Sequence, residues 1–147
     1  AAIGCAQLEK LDEITEHRRQ NWNFLRKELD SADSLILPEP QKNSKPSWFG
    51  FLMSVKEDAG FTRNELTSYL ESKKIQTRNL FAGNLVRHPA FKEMRSLGKE
   101  YRMVRDLRNT DFIMNNSFWI GVYPGMTNDM LQYMADSIKE FVKSHCK

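Results

Sequence analysis

The first thirty residues carry apolar side chains at the three- and four-residue spacing of an amphipathic helix. The apolar stripe consists of Leu8, Leu11, Trp22, Leu25 and Leu29, and Ile14 widens it. A stripe of this length predicts one helix of about 28 residues, or roughly 42 Å at 1.5 Å per residue. Such a helix can extend beyond a small domain, so we expect its first half to pack on something outside this sequence. Its expected end lies near residues 30–33, before Pro38 and Pro40.

Two nearly continuous apolar runs predict strands. The first covers residues 48–55 and has few polar interruptions, which predicts a strand that is covered on both faces. The second covers residues 117–123 and stops at Pro124 and Gly125, a turn signal. Residues 75–77 are a candidate for a short third strand.

Helix signals stand between and after these runs. Thr62 and Glu65 have the spacing of a capping box, and Asn109 or Thr110 can cap a short helix. Thr127 can cap the last helix. The apolar face of that helix comprises Leu131, Met134, Ile138, Phe141 and Val142. The pattern therefore predicts one α/β domain over residues 1–147, in which about three strands are backed by helices behind a long N-terminal helix.

Composition and charge exclude several classes of protein. The chain has 147 residues, of which 40% are hydrophobic, and this is typical of one globular domain with a real core. No apolar run approaches the roughly 20 residues of a membrane span, and the N-terminus has no signal pattern. The net charge of +3 comes from basic and acidic residues that are mixed along the chain. We therefore expect neither a nucleic-acid partner nor a membrane.

Cysteine and histidine are too sparse and too scattered for a metal site. Cys5 and Cys146 stand at opposite ends of the chain, which predicts no disulfide framework and favours the cytoplasm. An iron–sulfur cluster normally takes four protein ligands, and two cysteines cannot supply them. His17, His88 and His145 lack metal-ligand spacing. We find no catalytic constellation within the chain.

The densest set of binding side chains lies in the segment TRNLFAGNLVRHPAF, residues 77–91. Arg78, Phe81, Gly83, Asn84 and Arg87 fall within ten positions of what the pattern predicts to be an irregular loop. Arginine presents a planar fork of donors that suits phosphate or carboxylate, and glycine allows a sharp turn or a close approach to a ligand. The alternative is a solvated connection that happens to carry charge.

Four segments together resemble a known family. They are AAIGCAQLEKLDEI (1–14), KPSWFGFLMSVKEDAG (45–60), the segment 77–91, and NTDFIMNNSFWIGVYPGMT (109–127). In order and spacing they resemble the DegT/DnrJ/EryC1/StrS sugar aminotransferase-like family, and within it the CDP-4-keto-6-deoxyglucose 3-dehydrases. The resemblance implies the small C-terminal domain of a fold-type I pyridoxal-phosphate enzyme. Residues 1–30 would then connect to a large cofactor-binding domain that is absent from this sequence.

The resemblance also implies a chemistry for the longer protein. Dehydrases of this group keep pyridoxamine phosphate as a free cofactor, because histidine replaces the usual Schiff-base lysine. They remove the 3-hydroxyl of a CDP-4-keto-6-deoxyhexose in O-antigen or other deoxysugar synthesis. A [2Fe-2S] cluster and an iron–sulfur flavin reductase return electrons, and the enzyme is a homodimer. The catalytic groups would lie upstream of Ala1, so we expect this chain alone to be inactive and to bind no cofactor.

Four residues of this chain would line the substrate and cofactor pocket on the strength of the resemblance. They are Phe49, Arg78, Phe81 and Asn84, with Arg78 meeting the nucleotide or phosphate. The alternatives are a core aromatic for Phe49 and a turn-stabilising amide for Asn84. Phe112 departs from the dehydrase pattern, which has arginine at that position.

Two other functions stay open. One is a sugar aminotransferase of the same family, which would have lysine in place of the upstream histidine. The other is a stand-alone domain that serves only in interaction or assembly. The residues upstream of Ala1 discriminate among these alternatives.

Overall fold

The computed structural model describes residues 1–99 and 101–145, and it contains a small antiparallel sheet with helices packed against it. The α-helices are α1 (Ala2–Leu8), α2 (Leu11–Glu28), α3 (Arg63–Ser72), α4 (Lys92–Leu97), α5 (Arg108–Asn116) and α6 (Asn128–His145). The strands are β1 (Leu35–Ile36), β2 (Gly50–Val55), β3 (Thr77–Asn79) and β4 (Ser117–Gly121). Two short 3-10 helices, Leu85–Arg87 and Pro89–Phe91, lie between β3 and α4.

The sheet has the strand order β1-β2-β4-β3, and every neighbouring pair is antiparallel. The two long apolar runs form the central pair, in which Phe51 lies opposite Ile120. The predicted third strand is present but begins at Thr77 rather than at Ile75. The prediction of three strands was one too few, because β1 has two residues and too little sequence to show a period.

Strand β2 is buried on one face only, so the prediction that it is covered on both faces was wrong. Phe51, Met53 and Val55 have at most 1% of their surface exposed. Leu52, which points to the other face, is 36% exposed. The run is nearly continuously apolar in sequence because Leu52 and the preceding Phe49, which are exposed, are also large apolar residues.

The inner face of the sheet and three helices share one hydrophobic core. Helix α2 contributes Leu25, helix α3 contributes Leu66, and helix α6 contributes Ile138, each with no exposed surface. They belong to the same buried cluster as Phe51 and Phe118 of the central strands. The apolar face predicted for α6 is buried throughout. Each such side chain stabilises the fold by about 1.5–3 kcal/mol relative to an exposed one.

The predicted single N-terminal helix is interrupted. Helix α1 ends at Leu8 and α2 begins at Leu11. At the break the Lys10 N–H donates to the carbonyl of Gln7, three residues earlier, in place of the four-residue step of an α-helix. Ile3 is 81% exposed and Leu8 66%, so within the described residues the first half of this segment is uncovered.

Local capping signals account for two of the helix starts. The Thr62 side chain accepts from the Glu65 N–H and the Glu65 carboxylate accepts from the Thr62 N–H at 2.7 Å, which completes the predicted capping box. Thr127 accepts from the Met130 N–H at 3.3 Å, also as predicted. The cap predicted for α5 was wrong, because Leu107 precedes that helix in the left-handed conformation with φ 56°.

Candidate functional site

The outer face of the sheet, opposite the core, presents Arg78. In register, Leu52 lies opposite Trp119 and Trp119 opposite Arg78, so the three side chains form one row across β2, β4 and β3. Arg78 therefore lies in a strand and not in an irregular loop, because residues 77–79 pair with β4. Its side chain is exposed and forms no salt bridge with the described residues.

Gly50 fixes the position of the Trp119 ring. A Cβ atom added at Gly50 would lie 2.6 Å from Cε3 of Trp119, so the ring lies directly over this glycine. The Phe49 ring is 5.2 Å from the Trp119 ring, centroid to centroid, with the planes tilted by 56°. Phe49 itself is 68% exposed, which excludes the alternative that it is a core aromatic within the described chain. The two rings form a wall of large apolar surface.

This wall borders a cavity of about 600 Å³ between the end of β4, the β3 edge and the first turns of α6. Its lining is mostly aromatic and thioether. The aromatic lining residues are Phe49, Trp119, Tyr123 and Tyr133, and the methionines are Met126, Met130 and Met134. Small-molecule sites typically have volumes of roughly 300–1,000 Å³ and a mainly apolar lining with a few polar groups. The cavity therefore has the size and character of a ligand site.

The charged lining residues are all basic. Lys73, Lys74 and Arg78 border the cavity, and no aspartate or glutamate is among its described lining residues. Lys73 is engaged elsewhere: the Tyr69 hydroxyl and then the Glu140 carboxylate, 3.7 Å away, raise the pKa of its ammonium group. Lys74 and Arg78 form no salt bridge with described residues. The electrostatics of the cavity thus favour an anionic ligand.

The structure brings two of the four predicted site residues together. Phe49 and Arg78 line the same cavity, whereas Phe81 and Asn84 are not among its lining residues. Phe81 is 89% exposed, with φ 46°. Asn84 is 2% exposed; its side chain donates to Asp111 at 2.7 Å and accepts from the Val86 N–H at 3.2 Å. Asn84 thus has the contacts of the alternative, a turn-stabilising amide.

Asp111 anchors the segment that contains Asn84. Arg87 donates to both carboxylate oxygens of Asp111, at 3.2 and 2.9 Å. The hydrogen bonds from Arg87 and then Asn84 lower the pKa of Asp111. Gly83, with φ 64°, allows the chain to approach the side chain of Met114 in α5 more closely than any other residue could. The segment that most resembles the family is therefore held against α5.

Arg63 is a positioning residue that no pattern in the sequence indicates. Its Nη1 donates to Oδ1 of Asn79 at 2.9 Å and to the carbonyls of Ser117 and Met114 at 3.3 and 3.4 Å. Partial burial lowers the pKa of this guanidinium group. The contacts join α3 to β3 and to the junction of α5 and β4. No local motif marks these contacts, because the three partners of Nη1 lie 16 to 54 positions away.

The part of the chain that the structure describes has neither a metal-ligand cluster nor a membrane-spanning helix. In residues 1–99 and 101–145, no three His, Cys, Asp or Glu side chains are grouped closely enough to hold a metal ion. Across the same ranges, no helix combines the length and apolar character that crossing a bilayer needs.

The fold is an α/β domain of the kind found in pyridoxal-phosphate-dependent enzymes. The structure of E. coli GDP-4-keto-6-deoxy-D-mannose-3-dehydratase with bound hydrated PLP superposes with a TM-score of 0.77 at 25% identity, covering 93% of this chain and 34% of that one. The Helicobacter pylori aminotransferase PseC has a TM-score of 0.81 at 11% identity, which shows the shared fold alone.

Sequence comparison gives the family. Residues 1–139 match the sequence profile of the DegT/DnrJ/EryC1/StrS aminotransferase family, and the chain belongs to that family, as the resemblance predicted. It is 46% identical over 142 residues to dTDP-4-dehydro-2,6-dideoxy-D-glucose 3-dehydratase of Saccharopolyspora spinosa. It is also 46% identical over 142 residues to the lipopolysaccharide biosynthesis protein RfbH of Salmonella typhimurium. The matches cover 97% and 96% of this chain but only 30% and 31% of those proteins.

Proposed function

We propose that this chain is the small C-terminal domain of a nucleotide-sugar 3-dehydratase, which is a lyase. The parent is the whole enzyme to which this domain would belong. The reaction is removal of the 3-hydroxyl of a CDP-4-keto-6-deoxyhexose in deoxysugar or O-antigen biosynthesis. The observation that carries the proposal is 46% identity, over nearly the whole chain, to a 3-dehydratase and to a lipopolysaccharide biosynthesis protein. The chain spans about a third of those proteins, so the activity belongs to the parent.

The part played by this domain is to close one side of the active site. Phe49 and Trp119 supply a water-excluding wall, and Arg78 can donate two parallel hydrogen bonds to a phosphate or to sugar oxygens. The basic, aromatic lining fits an anionic aromatic cofactor such as pyridoxamine phosphate, near which Phe49 would lie. That cofactor, when bound, supplies the amine that condenses with the keto group and the ring that accepts electrons. The domain itself orients the substrate and holds water away.

Family membership also suggests a cellular location, an oligomeric state and a partner protein for the parent. We place it in the cytoplasm as a homodimer that works with an iron–sulfur flavin reductase, and the support for these points is family membership. The described residues of this chain do not form a set of cluster ligands. The ligands of a [2Fe-2S] cluster would therefore lie elsewhere in the parent, and we assign no step of this domain to it.

One observation favours a second candidate, a sugar aminotransferase. The chain is 27% identical over 146 residues to GDP-perosamine synthase of E. coli O157:H7. The higher identity to the 3-dehydratase makes dehydration the better supported function. A stand-alone interaction domain is the least supported, because it leaves a basic, aromatic cavity without a use.

The sequence upstream of Ala1 in the source gene tests the proposal. We expect a large domain with histidine at the position where aminotransferases carry the Schiff-base lysine. Lysine there would support the aminotransferase instead. A source gene whose coding sequence does not continue into a further domain upstream of Ala1 would favour the interaction domain.

A further inference from the structure

We propose that Glu71 is a positioning residue for Arg78. Its carboxylate fixes Thr77, the first residue of β3, and thereby the strand from which the Arg78 guanidinium reaches the cavity. Glu71 is not among the described lining residues of the cavity, so it would act only through Arg78. The inference rests on the proposed function, in which Arg78 meets an anionic part of the ligand.

The contacts of the Glu71 carboxylate carry the first step. Its Oε1 accepts from the Thr77 N–H at 2.6 Å and from the Thr77 hydroxyl at 2.9 Å. Hydrogen bonds to an ionised carboxylate are roughly twice as strong as neutral ones. Thr77 directly precedes Arg78 in a strand of three residues, which lies at the edge of the sheet and pairs with β4. The carboxylate therefore gives this short edge strand a second support.

The place of Glu71 in α3 makes this contact informative. Glu71 lies in the last turn of the helix, where a negative charge is repelled by the partial negative charge of the helix end. The chain leaves α3 through Lys74, which has φ 65°, and the Ile75 N–H donates to the Leu70 carbonyl at 2.9 Å. This turn brings Thr77 back to Glu71. The helix alone gives no reason for a carboxylate here, whereas the two hydrogen bonds to Thr77 do.

The other flank of Arg78 is also held from α3. Arg63, at the start of the helix, donates to Oδ1 of Asn79 at 2.9 Å. Helix α3 therefore fixes the residue before Arg78 and the residue after it, while Arg78 itself lies opposite Trp119 of β4. Such support matters for a group that must meet a ligand, because a misplacement of about 1 Å can lower a rate by on the order of a hundredfold.

Glu71 and Arg78 also interact through their charges. The hydrogen bonds from the Thr77 N–H and then the Thr77 hydroxyl lower the pKa of Glu71, and the positive charge of Arg78 lowers it further. Within the described residues the two side chains form no salt bridge. The carboxylate thus holds the backbone beside Arg78 without binding the guanidinium directly, and leaves the guanidinium available to a ligand.

Nuclear magnetic resonance of the 147-residue chain tests the coupling without any reaction. At pH 7 the Thr77 amide proton should resonate downfield, as expected for an amide that donates to a carboxylate. Glu71→Ala should shift both this signal and the Nε–H signal of Arg78. Glu57→Ala, which removes an exposed glutamate outside the cavity, should shift neither. An Arg78 Nε–H signal that Glu71→Ala leaves unchanged would overturn the proposal.

A double-mutant cycle in the parent tests whether Glu71 acts through Arg78. Glu71→Ala should lower kcat/KM about fivefold or more when Arg78 is present, and less than about twofold in the Arg78→Ala background. A mere loss of stability would lower kcat/KM equally in both backgrounds. Glu71→Gln should retain most of the activity, because its amide carbonyl can still accept from the Thr77 N–H. Glu57→Ala should leave kcat/KM unchanged.

The outcomes separate this inference from the proposed function. Equal losses in both backgrounds, or no loss from Glu71→Ala when Arg78 is present, would overturn the positioning role. An Arg78→Ala parent with unchanged kcat/KM would overturn it as well. A parent that aminates its substrate but shows the coupling would retain the positioning role and overturn the proposed function. A parent that dehydrates its substrate without the coupling would do the reverse.

Discussion

Replacing Gly50 by alanine should displace the Trp119 ring, because the ring packs directly over this glycine. The new Cβ would lie 2.6 Å from Cε3 of Trp119 and 3.1 Å from the carbonyl oxygen of Ile120. Neither atom is the end of a flexible chain, since the first belongs to a ring beside Phe49 and the second to the β4 backbone. The ring must therefore move or the β2–β4 pairing must open. Overpacking of this kind costs about 1–3 kcal/mol.

Gly121 provides the matched control. It lies opposite Gly50 in the β2–β4 ladder, and a Cβ there would meet nothing within 4 Å. Gly121→Ala should be neutral, or stabilise by up to about 1 kcal/mol through the lower entropy of the unfolded chain. The difference between the two alanine variants thus isolates the clash with Trp119.

Thermal and urea unfolding of both variants would measure this difference. At roughly 2–4 °C per kcal/mol for a chain near this size, Gly50→Ala should melt about 2–12 °C below Gly121→Ala. Its tryptophan emission should also shift, because the Trp119 ring is displaced. Equal melting temperatures together with unchanged emission would refute the argument that the ring rests on Gly50.

Three further predictions follow from the site, the network around Asp111 and the N-terminal segment. In the parent, Arg78→Ala should lower kcat/KM by about 10- to 150-fold, because it removes roughly 1.5–3 kcal/mol of charge-assisted hydrogen bonding. Arg78→Lys should lower kcat/KM too. Unchanged kcat/KM with a sharply lower melting temperature would make Arg78 a structural residue. Arg87 and Asn84 lower the pKa of Asp111 in the folded state, so the ionised Asp111 stabilises the fold above about pH 4, and this contribution is lost as the pH falls through the folded pKa. The stability of Asp111→Asn should therefore fall less steeply with decreasing pH in acid unfolding. The same dependence of stability on acidic pH in both proteins would contradict this. Sedimentation and dye binding should show self-association or exposed apolar surface in the 147-residue chain, because Leu8 and its neighbours in the N-terminal segment are exposed. Leu8→Ser should reduce both signals. A monomer that binds no dye would count against an uncovered apolar surface in the N-terminal segment.

Sequence signals that lie within a few residues of each other were sufficient to predict much of the fold. The spacing of Thr62 and Glu65 determines the capping box by itself, and the buried stripe of α6 follows from one helical period. The two central strands were predicted for a similar reason, since a long apolar run needs no partner to be recognised.

Features that depend on a distant partner were not predictable in this way. Strand β1 has two residues and exists only through its pairing with β2, and Arg78 is in a strand because β4 lies beside it. The break between α1 and α2 has neither glycine nor proline to mark it. Leu107 adopts φ 56°, which no sequence rule assigns to leucine.

The candidate site contains both residues that could be predicted from the sequence and residues that only the fold brings together. The resemblance pointed to Phe49 and Arg78, and the structure puts them on one cavity. Tyr133 and Met130 were unforeseen because they lie more than fifty positions after Arg78 in the chain, and the fold brings α6 to the cavity that Arg78 lines. Asn84 shows the opposite case: its local sequence resembles the family segment, but its side chain is used to hold the segment to Asp111.

The fate of the 3-hydroxyl oxygen is the most direct test of the central claim that this domain belongs to a nucleotide-sugar 3-dehydratase. The parent would be incubated with pyridoxamine phosphate, with the iron–sulfur flavin reductase and its reductant, and with L-glutamate as the amino donor that an aminotransferase would need. The substrate would be CDP-4-keto-6-deoxyglucose that carries ¹⁸O at C3, and mass spectrometry would follow the sugar and the water. We predict that the label appears in water and that the sugar loses its 3-hydroxyl. A product that keeps the label at C3 and gains an amino group would contradict the account.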